Sequence, residues 1–251
     1  MALGANDRAS QAPEIAMVAG EPSGDLIAGL LLKALRSHMP DAAFSGIGGP
    51  CMQAQGFRIR TPMQALSVHG FLDALIHYRE IKTIRDNYKR QLLIESPPVF
   101  IGTDAPDFNL GLELDLRRAG IPTVHFVSPS IWAWRGGRIK TIARAVDLML
   151  CLFPFEREIY ERAGVSAEFV GHPLADVIPM TPDPASARTR LGLSKERQWL
   201  TLMPGSREGE MRRIGPVFIE AAVELARQDR ELGFIAPMAT LALRAQFEAL
   251  V

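Results

Sequence analysis

Two aspartates three residues apart, Asp104 and Asp107 in the run GTDAPDFN, have the types and spacing for acid–base chemistry. The run follows a short apolar segment. In open α/β sheets, ligands sit at the carboxyl ends of parallel strands, so a carboxylate placed there can serve as a general base. Asp107 adjoins the helical pattern Phe108–Ala119 and suits a helix cap. Asp104 has no evident structural task, which makes it the candidate base, and Asn109 in the same run is a candidate substrate contact.

A second chemical cluster lies in Thr123–Phe155, where SPSIWAWRGGR separates two apolar runs. Ser128 and Ser130 offer hydrogen bonds, while Arg135 and Arg138 are candidate phosphate clamps. Trp132 and Trp134 stand two apart, which on an extended segment sets both rings on one side. They read either as an apolar wall for a ligand or as packing that closes a cleft. Upstream, GEPSGD (Gly20–Asp25) joins an apolar run to a helical pattern. Glu21, Ser23, Gly24 and Asp25 are candidate ligand contacts at a helix N-terminus; turn and N-cap roles fit Ser23 and Asp25 equally well. Glu21 speaks against a dinucleotide fingerprint, because it sets a negative charge where a pyrophosphate would lie. Downstream, His172 in GHP suits a ligand contact or a strand-end cap. In MPGSRE, Gly205 and Ser206 present amides and Arg207 a cation, an arrangement that suits a diphosphate. His38, His69, His77 and His125 show no metal-ligand spacing, so no metal site is expected. Finally Phe71, Leu72, Leu75 and Tyr78, flanked by Arg79, Lys82 and Arg85, read as a core helix or as an apolar anchor on an anionic bilayer.

The elements that must position these residues follow from apolar runs alternating with helical periodicity. Strands are expected at Ile15–Ala19, Ala43–Ile47, Val99–Gly102, Thr123–Val127, Leu148–Phe153 and Glu168–Val170, with helices between them. Continuous apolar strands in a βαβα rhythm imply a parallel sheet covered on both faces. Residues 1–14 are polar and read as disordered, and 15–177 as a Rossmann-like first domain. The proline-rich stretch IPMTPDPAS opens a linker spanning 178–190. The rhythm restarts in 191–251, which reads as the start of a second domain, incomplete as it stands, so a fragment or truncated product is expected. Lys+Arg and Asp+Glu both total 28, so no global field favours nucleic acid, and anion binding has to be local. Two cysteines exclude a disulfide framework. Without a signal-like start or an apolar run of spanning length, a cytosolic protein is expected, or one lying against a membrane from the cytosolic side.

In that order and spacing, VAGEPSGD, GIGGP, GTDAPDFN, SPSIWAWR, FPFE, FVGHPLAD and MPGSR resemble the lipid-A-disaccharide synthase family, over Ile15 to Val251. The resemblance implies a two-domain, inverting GT-B glycosyltransferase that needs no cofactor or metal. It also implies a reaction of UDP-2,3-diacylglucosamine with 2,3-diacylglucosamine 1-phosphate, giving the β-1,6-linked disaccharide and UDP. Asp104 would deprotonate the acceptor 6-hydroxyl, Arg207 would support UDP, and Arg135 or Arg138 would hold the acceptor phosphate. The implied setting is peripheral, on the cytosolic face of the inner membrane. Cys51 and Thr103 depart from the family pattern, which usually has a basic and an apolar residue there. A non-catalytic fragment that binds acylated sugar phosphate or membrane through its first domain is the alternative. An epimerase of UDP-sugars is disfavoured because it gives the tryptophan loop no role.

Overall fold

The computed structural model describes residues 13–66 and 74–251; the side chains of residues 74–78 also lie outside that description. The chain divides into two compact units, one running to Ile178 and the other covering Pro179–Val251.

The first unit is built on seven parallel strands: β1 (Glu14–Ala19), β2 (Ala43–Gly48), β3 (Arg58–Pro62), β4 (Phe100–Thr103), β5 (Thr123–Phe126), β6 (Leu148–Cys151) and β7 (Ser166–Phe169). Their order across the sheet is β3-β2-β1-β4-β5-β6-β7. The helices are α1 (Pro22–His38), α2 (Pro50–Gln53), α3 (Ala74–Glu95), α4 (Pro106–Arg118), α5 (Ile139–Ala145) and α6 (Pro154–Arg162). Side chains alternate along β1 and so feed two separate cores. Ile15, Met17 and Ala19 pack with Ala28 and Leu32 of α1 and with Phe44 of β2. Ala16 and Val18 pack with Tyr88 and Leu92 of α3 and with Phe108, Leu112 and Leu116 of α4. Each fully buried Leu or Phe stabilises by about 1.5–3 kcal/mol relative to exposure. A third core gathers Ile142 of α5, Met149 and Cys151 of β6 and Tyr160 of α6.

Strand β3 has no apolar run in the sequence. It is an edge strand whose cations are paired at the amino ends of the strands: Arg60 with Glu95 and Glu14, and Arg58 with Glu14. Partial burial pushes the Glu14 carboxyl up, but hydrogen bonds from Ser45, Arg58 and Arg60 and the Arg60 charge outweigh it and hold it at about 2.

In the second unit, parallel strands β8 (Trp199–Thr201) and β9 (Gly233–Ile235) are joined through α8 (Glu208–Gln228) and followed by α9 (Leu241–Glu248). Gly233 lies under the Trp199 ring, where a β-carbon would come within 2.5 Å of it. The expected linker 178–190 is not without structure. It holds the helix α7 (Pro184–Arg190), whose cap Asp183 accepts the Ser186 amide at 3.0 Å. Phe71 and Leu72 of the expected apolar anchor lie outside the described residues, as do the side chains of Leu75 and Tyr78.

Candidate functional site

Strands β1 and β4 are neighbours, with β2 and β3 continuing on one side and β5 to β7 on the other. The winding reverses between them, and at such a switch point the two strand-to-helix loops separate to leave a crevice. Ala19, the last residue of β1, lies beside Thr103, the last of β4, so GEPSGD and TDAP start from the same place. Gly20 of the first loop allows close approach: a β-carbon there would lie only 3.2 Å from that of Ala105, while one on Gly24 would meet the Asp104 β-carbon at an ordinary 3.7 Å.

Asp104 is half-buried. Its amide donates to the Phe126 carbonyl at 2.9 Å, one more rung of the β4–β5 ladder. The chain then turns through two successive left-handed residues without being glycine: Asp104 at φ 52° and Ala105 at φ 43°. Each costs about 1–3 kcal/mol and persists only when neighbouring groups over-determine it. Asn109 supplies that restraint: its Nδ2 donates to the Asp104 carbonyl at 2.8 Å and the Thr103 carbonyl at 3.4 Å. The Phe108 and Asn109 amides both reach the Ala105 carbonyl at 3.0 Å. Asn109 is thus fully buried beneath the turn and contacts the loop, where a substrate contact was expected.

Other expectations are corrected in the same way. Asp107 does not cap α4; that position is Ala105, followed by Pro106. Asp107 is instead exposed and paired with Arg138 and, at 3.9 Å, Arg135, so the two expected phosphate clamps already share a carboxylate partner. Asp25 is not the cap of its own helix, which is Glu21. Asp25 is buried inside α1, and its two oxygens accept the Gly49, Cys51 and Met52 amides at 2.8–3.1 Å, capping α2. Glu21 is the α1 N-cap residue, with Pro22 behind it, and Ser23 is exposed in the first turn. Ser128 is buried, and its hydroxyl is already engaged with the Tyr160 hydroxyl at 2.8 Å. Burial pushes that phenol up, more than the Ser128 bond lowers it. His172 caps the turn Pro173–Asp176, its Nδ1 accepting the Leu174 amide at 3.2 Å.

The tryptophan loop is not extended. Ala133 and Trp134 amides both return to the Ser130 carbonyl, at 3.1 and 3.2 Å, so the chain turns back and the two rings part. Trp132 meets Phe155 edge-on at 5.3 Å between centroids, and Phe155 stacks on Phe153 at 5.7 Å. Trp134 lies under the Arg135 guanidinium at 4.5 Å. All four aromatic side chains are about half exposed. Phe153 and Phe155 were legible as a pair in FPFE, but only the fold brings them to Trp132.

In the second unit, Gly205 takes φ 131°, and the Ser206 and Arg207 amides both donate to the Glu210 carboxylate, at 2.9 and 3.2 Å. Of the two amides expected for a diphosphate, that of Ser206 is engaged by a side chain of the helix that follows.

The sequence reading missed a buried acid–base pair behind the Asp104 turn. His125 Nδ1 lies 2.8 Å from Glu113 Oε1, and both side chains are fully buried. The signal was available: Glu113 follows Asn109 by four residues, which on a helix sets both on one face.

The family described as Lipid-A-disaccharide synthetase matches residues 15–251. A lipid-A-disaccharide synthase of Azoarcus sp. (strain BH72) is 58% identical over 238 residues, covering 95% of this chain and 61% of that protein. One from Cupriavidus pinatubonensis is 54% identical over 248 residues, covering 98% of this chain and 62% of its own. This chain therefore spans about 61% of the length of the curated relatives it matches. Among solved structures, the UDP-GlcNAc 2-epimerase of Neisseria meningitidis bound to UDP-GlcNAc superposes with a TM-score of 0.63 at 9% identity, over 95% of this chain and 69% of that one. Glycyrrhiza uralensis UGT73P12 does so with 0.56 at 10%, over 89% and 68%. At such identities the likeness concerns the fold alone, which is α/β, Rossmann-like and of the GT-B type.

Proposed function

This chain belongs to the lipid-A-disaccharide synthetase family, and from that premise we propose that its first unit carries the acceptor side and the base of a glycosyl transfer. The substrates are UDP-2,3-diacylglucosamine and 2,3-diacylglucosamine 1-phosphate. Asp104 takes the proton of the acceptor 6-hydroxyl as that oxygen attacks the anomeric carbon. The bond from that carbon to the UDP oxygen breaks on the opposite side, with inversion, and UDP leaves with the electron pair. The observation that carries this reading is the placement of Asp104 on a restrained left-handed turn at the switch point between β1 and β4. A base held in place before the substrate arrives loses no freedom in the reaction, and orientation of this kind is a large part of catalysis.

Around Asp104 the other groups take compatible roles. Arg138 and Arg135 lie over the first turn of α4, where they exchange Asp107 for the acceptor phosphate. The half-exposed Trp132, Phe153 and Phe155 offer an apolar surface to acyl chains. Gly205, Ser206 and Arg207 receive the UDP phosphates once Glu210 swings off the amides. The acylated substrates imply work at an inner-membrane surface, as a peripheral protein on its cytosolic face. Among the described residues no helix is long and apolar enough to cross a membrane.

The test is Asp104→Asn in this chain completed with the remaining segment of the Azoarcus relative. Turnover is expected to fall by about 100- to 10,000-fold, the range for loss of a general base, with the melting temperature within a few degrees of wild type. Wild-type turnover in Asp104→Asn removes Asp104 as the base.

A further inference from the structure

We propose that Asn109, Glu113 and His125 form a buried positioning layer that holds the Asp104 turn in its left-handed shape. The inference rests on the reading of Asp104 as base for its catalytic consequence, but not for its structural one. Gly102 and His125 are register partners on β4 and β5, so they occupy the same face of the sheet. Over that face lie Glu113 and Asn109, one helical turn apart on α4. A β-carbon on Gly102 would meet Glu113 Oε1 at 2.2 Å and Asn109 Cγ at 3.0 Å. The absent side chain at Gly102 thus makes the room that two polar side chains fill. All three members of the layer are fully buried.

A buried, hydrogen-bonded Glu–His couple is a poor way to gain stability, because the cost of desolvating both groups offsets much of what their contact returns. Its use here follows from what lies next to it. Asn109 must keep its Nδ2 turned to the Thr103 and Asp104 carbonyls, which leaves its Oδ1 facing the interior. Oδ1, Thr103 Oγ1, Glu113 Oε2 and His125 Nε2 are all buried without a protein partner among the described residues. In an apolar surround that amide would gain by flipping or by leaving the core, since an unmet polar atom in hydrocarbon is costly. A polar surround removes that drive. His125 keeps Glu113 in place, Glu113 keeps the region beside Asn109 polar, and Asn109 holds the turn. None of the three touches substrate in this scheme; they act through the backbone of Asp104.

Amide hydrogen exchange on the 251-residue chain tests the structural half. In Asn109→Ala and in Glu113→Leu, exchange of the Asp104 and Phe108 amides is expected to quicken about tenfold, the loss of one net hydrogen bond. The Ile101 amide of the same strand should keep its protection. Glu113→Gln retains a hydrogen-bond partner for His125 in either ring tautomer and should show wild-type exchange. Unchanged exchange at Asp104 in Asn109→Ala overturns the proposal, as does a rise spread evenly along β4, which marks general destabilisation. In the completed enzyme, Asn109→Ala should lower kcat about 100-fold, the cost of a small misplacement of a reacting group, with KM for both substrates within twofold; a loss confined to KM also overturns it. If Asp104→Asn keeps wild-type turnover while the exchange pattern is as expected, the base assignment falls and the positioning layer stands.

Discussion

Two strand-to-helix junctions of this chain, Gly102–Pro106 in the first unit and Met203–Glu208 in the second, are alike in outline and opposite in construction. Both leave a parallel strand, pass through positive φ and enter a helix. The first does so with two residues that are not glycine, and its shape is kept by Asn109 and by a polar layer inside the core. The second uses Gly205 for the positive φ and lets Glu210 fold back on the Ser206 and Arg207 amides. The geometry of the first therefore depends on residues from α4 and β5, while that of the second depends on its own next helical turn. A strained junction held from within is suited to presenting one reactive group in one direction. A locally capped junction can release its cap and rearrange.

Substitutions at the glycines break this contrast most forcefully. Gly102→Ala should destabilise the first unit by about 1–3 kcal/mol or somewhat more, because a buried overpacked site has to shift; its β-carbon would lie 2.2 Å from a Glu113 carboxyl oxygen that is itself tied to His125. Thermal melting of the variant checks this, and a shift of less than about 2 °C, short of what such a loss implies, would mean that the polar layer gives way easily. Gly205→Ala meets φ 131° and a β-carbon contact of 2.5 Å with Glu210. It should cost about 1–3 kcal/mol, with protection lost around α8 and the exchange rates of β4 amides unchanged. Loss of protection in β4 as well would erase the distinction between a local and a core-dependent junction.

The smallest effect is expected from Glu210→Gln. The Ser206 amide bond leads in lowering the Glu210 carboxyl; desolvation opposes it, and the Arg207 amide, charge and side-chain bond add to the lowering so that the net direction is down. A carboxyl lowered by folding stabilises fully above its unfolded value near 4.5, and that stabilisation fades as pH falls through the lowered folded value. Urea melts from pH 7 to pH 3 should therefore show the wild-type advantage over Glu210→Gln shrinking toward the acid end. An advantage that does not change with pH would mean that shape rather than charge makes the cap.

The strands of the first sheet were legible because each buried run is apolar, and Asp104 stood out because its loop follows one of them. Strand β3 was not, since its Arg58 and Arg60 side chains find partners on β1 and α3 that lie far off in sequence. Asp25 was misread for a similar reason: a carboxylate inside a helix gives no hint that the amides it accepts begin a different helix. The tryptophans were taken as neighbours on an extended segment, and a turn through the Ser130 carbonyl separates them. His125 has no metal-ligand spacing, yet its register opposite Gly102 made it part of the candidate site.

By itself the sequence determined the alternation of strand and helix, because hydrophobic period and turn residues act over a few positions. It also carried the residue types from which family membership follows. Only the tertiary structure decided which loops meet. The order β3-β2-β1-β4-β5 sets Ala19 beside Thr103, and so brings GEPSGD against the Asp104 turn. Only the tertiary structure, too, decided which polar side chains are already engaged, because hydrogen bonds such as those of Asp25, Ser128 and Asn109 are made in space between groups whose sequence separation carries no signal.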